Sequence, residues 1–208
     1  MSHGATYYDM LLGKNLSLLG GGPKIHRWRT NKDPDLFVHC NNHWIKQGGD
    51  LDVLYFNGRA DLWDTLSWEE GFDPGFIEFS YNGGARKDIL TYCRENGIPH
   101  LFHCYQQKFP ESGWYHRLKK EMDKFGDNVP FIGTAAVYHL LQFPIAELFV
   151  TGMDFYTSEK DPDEIRKVSI AGHNPIANAK MIAQLSKIDS RLILAPDVEM
   201  GLETLSIS

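Results

Sequence analysis

Apolar residues gather into seven short runs, at positions 16–19, 36–40, 51–56, 76–79, 99–103, 147–151 and 191–195, each bounded by Gly, Pro, Asn or Asp. Runs of this length closed by turn residues are strand candidates. Several are continuously apolar rather than alternating, which predicts strands covered on both faces. Between them lie four helical segments, 86–96, 113–125, 134–142 and 175–187, the last placing Ile176, Ala179, Ile182 and Ala183 on one broad apolar face. Strand alternating with helix predicts an α/β fold: a single-domain, Rossmann-like doubly wound sandwich with a mostly parallel sheet, spanning 1–208. The charge-dense stretch 157–169 reads either as a mobile lid over an active site or as a solvated loop.

Composition narrows the class. A chain of 208 residues, 42% of them hydrophobic, buries roughly 70% of its unfolded surface and needs no staple to fold. Its net charge of -6 weighs against nucleic acid or an anionic membrane as partner, since both are bound through clustered Lys and Arg. Cys40, Cys93 and Cys104 show no CxxC spacing, so neither a disulfide framework nor a zinc knuckle is expected, and a reducing, cytoplasmic setting is the simplest reading. The N-terminus lacks a basic segment followed by an apolar run, and no stretch approaches 18 consecutive apolar residues, so neither secretion nor a transmembrane segment is expected.

In an open parallel sheet, ligands bind beyond the carboxyl ends of the strands. The residues following the predicted strands are Gly20-Gly21-Gly22-Pro23, Asn41-Asn42, Asn57-Gly58, Gly152 to Tyr156, and Ala195-Pro196-Asp197. Small residues there let backbone N–H groups approach a phosphate, and carboxamides both donate and accept. The glycine run has neither Walker nor GxGxxG spacing, so it is a ligand loop or a tight turn. Among nine histidines, His39, His43, His100 and His103 come nearest to metal-ligand spacing, but His100 and His103 on one strand point to opposite faces. Asp161-Pro162-Asp163 has the DxD form of a cation-held nucleotide diphosphate site, in surroundings that favour a proline turn. His173, between Gly172 and Asn174-Pro175, stands at a helix entry, where the helix dipole disfavours imidazolium; it is a general base or a surface histidine.

Read in order, the strand ends resemble those of the bacterial sialyltransferases that use a CMP-activated donor. Leu18-Leu19-Gly20-Gly21-Gly22-Pro23 resembles their opening strand and loop, Asp35 to Asn42 their second strand, and Leu54 to Asn57 their third. Gly133-Thr134-Ala135-Ala136 is similar to a helix start that faces the donor, Leu148 to Tyr156 to a Gly-Ile-Asp-Phe-Tyr block, and Ala171 to Asn174 to a catalytic Gly-His-Ser segment. The blocks span about 16–197, with a poor match over 58–130.

This resemblance implies a GT-A variant fold and an inverting, metal-independent transfer of sialic acid or a related nonulosonic acid to the hydroxyl of a glycan or glycolipid acceptor. It implies His173 as base and Tyr156 as hydrogen-bond donor to the departing phosphate. Donor contacts would come from Gly20, Gly21, Gly22, Asn41, Asn42, Asn57, Gly133, Thr134 and Asp154, with no cofactor or metal beyond the CMP-sugar substrate. Oligomerisation is left open. Three departures stand against it. Gly21 replaces the family's phosphate-contacting Asn, no second tyrosine occurs in 157–169, where Lys160, Arg166 or Lys167 would have to substitute, and the chain is shorter than the usual bacterial enzyme. The alternatives are a metal-dependent glycosyltransferase using another nucleotide sugar and a catalytically weak nucleotide- or sugar-binding protein.

Overall fold

Strand β3 (Val53–Phe56) is buried at all four positions, and its side chains divide between two cores. Val53 and Tyr55 join the larger cluster with Leu16, Leu18, Val38 and Phe76, whereas Leu54 and Phe56 join Trp63, Phe72, Ile77, Ile89 and Cys93. A strand with period-2 side chains has a continuous apolar sequence only when both faces are covered, as expected from the runs above. Each of these large side chains contributes about 1.5–3 kcal/mol by leaving water.

The computed structural model describes residues 3–22, 33–41, 45, 49–57, 62–64, 70–81, 87–104, 113–126, 129–157 and 174–207. With β3, strands β1 (Asn15–Leu19), β2 (Leu36–Cys40), β4 (Phe76–Tyr81), β5 (His100–Cys104), β6 (Glu147–Thr151) and β7 (Leu192–Leu194) form one sheet in the order β5-β4-β3-β2-β1-β6-β7. Every pairing is parallel; at the centre Leu18 of β1 faces Val38 of β2 and Val150 of β6. Helices α1 (His3–Leu11), α2 (Lys87–Glu95), α3 (Trp114–Asp123), α4 (Ile132–Leu140), α5 (Pro175–Ile188) and α6 (Pro196–Thr204) complete the described elements. All seven strand runs form strands and all four helical segments form helices.

A buried polar relay fixes α1 and α4 on the sheet. The hydroxyls of Tyr7 (α1) and Tyr55 (β3) lie 3.1 Å apart, and the Tyr55 hydroxyl is 2.8 Å from Nδ1 of His139 (α4). His139 stacks on Trp114 of α3 at 4.2 Å. Burial, reinforced by the charge of Glu78 on β4, holds both tyrosines well above their ordinary pKa, so they remain protonated donors. Arg191 fastens the far end of α4: its guanidinium donates to the Leu141 and Phe143 carbonyls at 2.7 Å each and to the Asp189 carboxylate. That hydrogen-bonded ion pair lowers the Asp189 pKa. The entry of α4, where the sialyltransferase resemblance puts donor contacts, therefore belongs to a helix whose C-terminal end is held by both His139 and Arg191.

Two helices and one face differ from expectation. The sequence reading leaves 1–14 and 196–204 without structure, yet α1 forms, with Tyr7 and Leu11 buried one turn apart, and α6 starts with Pro196 at its first turn followed by Asp197 and Glu199. Ile176 does not share the apolar face of α5: it is 46% exposed, while Ala179, Ile182 and Ala183 are buried as expected. Asn178 takes a place on the buried side instead. Among the described residues no helix is long and apolar enough to cross a membrane.

Candidate functional site

Chain order runs outward from β1 through β2 to β5, then returns to the other side of β1 for β6 and β7. The order therefore reverses between β1 and β6, the place where doubly wound sheets open a ligand crevice at the carboxyl edge. Gly20, Gly21 and Gly22 leave β1 at that edge, and Gly152 to Tyr156 leave β6 beside them.

The two loops touch through their backbones. The Gly20 amide donates to the Thr151 carbonyl at 2.8 Å, and the Gly22 amide to the Gly152 carbonyl at 2.7 Å. A Cβ on Gly20 would stand 2.3 Å from the Gly152 oxygen, and one on Gly22 2.8 Å from the same atom. Gly152 has φ +73°, and a Cβ there would lie 2.9 Å from the Gly20 oxygen. Asp197 of α6 secures the junction by accepting from Thr151 Oγ1 (3.0 Å) and from the Gly152 amide (2.5 Å). Two of the three amides of the glycine run are thus committed to the end of β6 and the loop after it, and the absence of side chains at Gly20 and Gly22 lets the two loops touch. Exposed Gly21 is the one whose amide makes no hydrogen bond among the described residues. Asp197, read from sequence only as a strand-end residue, is a structural clasp.

Beyond Gly152 the chain turns sharply. Phe155 and Tyr156 have φ of 49° and 60°, so two consecutive bulky residues occupy the left-handed region, the sign pattern of a type I′ turn. The turn closes through Thr157, whose amide (2.9 Å) and hydroxyl (2.6 Å) both donate to the Asp154 carbonyl, while Asp154 Oδ1 accepts from the Tyr156 amide at 3.2 Å. The left-handed region costs roughly 1–2 kcal/mol per L-residue, and strain of this kind collects at functional sites. Its effect here is to separate the two aromatics. Phe155 is buried against Gly201 of α6, and half-buried Tyr156 packs on the ring of Phe131 at a centroid distance of 5.3 Å. Asp154, expected as a donor contact, thus has an identifiable task in holding Tyr156.

At the neighbouring strand ends, Asn41 follows β2 with φ 52° and accepts the Asn57 amide on its Oδ1 at 3.1 Å. The carboxamide that the sequence reading assigns to the nucleotide therefore links the ends of β2 and β3, and its Nδ2 makes no hydrogen bond among the described residues. Preceding it, Cys40 is a buried thiol pushed up to about 12 by desolvation, so it stays protonated and is no nucleophile. Gly133 and Thr134 lie within the first turn of α4, both buried; Gly133 packs against the Met153 side chain, and the Thr134 hydroxyl has no hydrogen-bond partner among the described residues. Asn42, His43, Asp161, Asp163 and His173 lie outside the described residues, as do 158–169 of the expected lid.

The histidine metal reading is not supported by placement: His39 is on β2 and His100 on β5, with two strands between them. His39 Nε2 is 3.1 Å from the Asp50 carbonyl. Trp63 is buried among Phe56, Phe72 and Tyr92, and Trp114 is buried against His139, so both are core residues.

One polar contact has no counterpart in the sequence reading. Asn178, fully buried on α5, accepts the Phe131 amide at 2.7 Å and donates to the Asn174 carbonyl at 2.9 Å, joining the entries of α4 and α5. An asparagine in the middle of an apolar helix face is the only signal that marked it.

No family model matches the chain, and no curated protein matches it in sequence. Solved structures do. The sialyltransferase CstII from Campylobacter jejuni in complex with the substrate analogue CMP-3FNeuAc is 18% identical, with a TM-score of 0.52 over 89% of this chain and 87% of that one. The CstII complex with cytidine-5'-monophosphate is 15% identical, with a TM-score of 0.53 over 90% of this chain and 87% of that one. At this identity the likeness is one of fold, and the chain has the α/β fold of the CstII sialyltransferase along most of its length.

Proposed function

We propose that this chain is an inverting glycosyltransferase that moves sialic acid, or a related nonulosonic acid, from a CMP-sugar to an acceptor hydroxyl without a divalent cation. The observation that carries the reading is the strained Asp154–Thr157 turn, which sets Tyr156 apart from Phe155 at the carboxyl edge of β6, beside the glycine loop of β1. Strained turns persist when the position of a side chain matters. A phenol there can donate to a phosphate, and hydrogen bonds aimed at developing negative charge can take the place of a metal ion. The Gly21 amide and Asn41 Nδ2 are further donors for the nucleotide. His173 takes the acceptor proton as the acceptor oxygen attacks the anomeric carbon; the bond from that carbon to the phosphate oxygen breaks, and its electrons leave with CMP. The sialyltransferase fold supports the assignment, and so do the CMP ligands of its structural neighbours.

A nucleotide comparison tests the donor. CMP at 100 times its Kd stabilises a specific site by about 2.7 kcal/mol, which for a chain of this size raises the melting temperature by about 5–10 °C. UMP, GMP and AMP are expected to give smaller shifts, and the CMP shift and activity to persist in EDTA. Equal shifts from all four nucleotides would remove the CMP assignment. Activity lost in EDTA and restored by Mg²⁺ or Mn²⁺ would instead favour the metal-dependent reading through Asp161 and Asp163.

Tyr156→Phe separates leaving-group stabilisation from binding. If the phenol's hydrogen bond strengthens as phosphate charge develops, kcat should fall by about 10-fold to 100-fold, and by more than CMP affinity does. A kcat equal to wild type would withdraw the role given to Tyr156. The missing Asn at Gly21 and the missing second tyrosine keep a weak binding protein as the second reading, which predicts CMP binding without turnover.

A further inference from the structure

We infer that Asn178 is a positioning residue for the transfer reaction, coupling the two helix entries and the tyrosine on which the proposed chemistry depends; this rests on the reading of the site given above. Asn178 is 0% exposed and lies one turn into α5. Its amide orientation is dictated by its partners: Oδ1 meets the Phe131 amide, which can only donate, and Nδ2 meets the Asn174 carbonyl, which can only accept. Both bonds reach functional elements.

On one side, Phe131 is the residue before α4 and accepts the Ala135 amide at 2.9 Å, so it sets where the Gly133-Thr134 turn begins. Its ring is the surface on which Tyr156 rests. On the other side, Asn174 is the N-cap of α5, accepting the Ile176 and Ala177 amides at 3.0 and 3.2 Å, and it is the chain neighbour of His173. One buried carboxamide therefore joins the backing of Tyr156 to the N-cap of α5, which follows His173 in the sequence. Core volume alone does not account for it. A leucine would fill similar space, whereas burying an amide is favourable only when both ends are bonded, as they are here. In the proposed displacement the base assists the bond that forms at the anomeric carbon and the tyrosine the bond that breaks there, so their separation matters, and a misplacement of about 1 Å can cost on the order of 100-fold in rate.

The test is a kinetic double-mutant cycle on the full chain with a CMP-sialic acid donor. Asn178→Ala should lower kcat by about 10-fold or more with donor KM within about threefold of wild type, assayed well below its melting temperature. Combined with Tyr156→Phe, its effect should be clearly smaller than the product of the single losses, because removing the hydroxyl leaves less for Asn178 to position. A general loss of stability predicts multiplicative effects, and that outcome, or wild-type kcat in Asn178→Ala, overturns the inference. If Asn178→Ala does not fold, Asn178→Asp serves: it keeps an oxygen for the Phe131 amide but donates to the Asn174 carbonyl only when protonated. Its kcat deficit relative to wild type should therefore shrink as pH falls, and a pH-independent deficit counts against the link. Should wild type bind CMP but transfer nothing, the functional reading fails on its own. Hydrogen exchange then decides the coupling: Asn178→Ala should release the Phe131 and Ile176 amides together while the β-strand amides keep their protection, and independent behaviour of the two rejects it.

Discussion

Replacing His173 with alanine is expected to reduce kcat by about 100-fold to 10,000-fold while the thermal shift given by CMP stays as in wild type. The acceptor hydroxyl is a poor nucleophile until its proton is taken, and no other group in the proposed mechanism can take it. In the chain His173 directly precedes Asn174, which caps the 14-residue helix α5. A general base acts through the neutral form of its imidazole. The sign of the pH dependence follows. Protonation removes the lone pair that accepts the hydroxyl proton, so wild-type activity should decline toward acid through the range in which imidazole titrates, while CMP binding is less affected. The residual rate of His173→Ala should lack that acidic limb. Turnover near wild type in His173→Ala, or an unchanged acidic limb, would take His173 out of the mechanism and leave the base to be found elsewhere.

Much of the fold was legible because both faces of the sheet are covered. Val53 and Tyr55 serve one core and Leu54 and Phe56 the other, so every position of β3 had to be apolar, and the run announced itself in the sequence. The same property at β1 and β6 located the strand ends, and with them the loops that line the switch point. Less visible were α1 and α6, whose short amphipathic patterns are diluted by polar residues. The start of α6 did carry a signal, proline followed by Asp197 and Glu199, but at a strand end it resembled a ligand loop. Contacts distant in sequence were beyond reach. Tyr55 and His139 are 84 positions apart, Phe131 and Asn178 are 47 apart, and nothing local in either member specifies the other. The candidate site divides in the same way: the strand-end positions of Gly21, Asn41, Asn57 and Tyr156 follow from pattern, whereas the tasks of Asp154 and Asp197 depend on backbone amides that only the fold brings to them.

Gly20→Ala is expected to destabilise the protein by about 3 kcal/mol or more, the top of the range for overpacking, and to lower the melting temperature by about 6–12 °C. The added Cβ would sit 2.3 Å from the Gly152 oxygen, 2.6 Å from its carbonyl carbon and 2.9 Å from Met153 Cγ. Met153 can rotate away, but the first two atoms are backbone. Moving them strains the bonds from Gly20 to Thr151 and from Gly22 to Gly152, and pulls the Gly152 amide from Asp197. Gly152 itself is held in the left-handed region, so the β6 loop has little freedom to yield. Gly13 provides the control: it also has positive φ, at 69°, but nothing lies within 4 Å of its Cβ position. Gly13→Ala should therefore show only the backbone cost of about 1–2 kcal/mol. A Gly20→Ala protein no less stable than Gly13→Ala would mean that the two loops do not press together as described. If the close contact also shapes the donor crevice, the CMP-induced shift should diminish in Gly20→Ala and persist in Gly13→Ala, which ties the packing of the glycine loop to the nucleotide it is proposed to face.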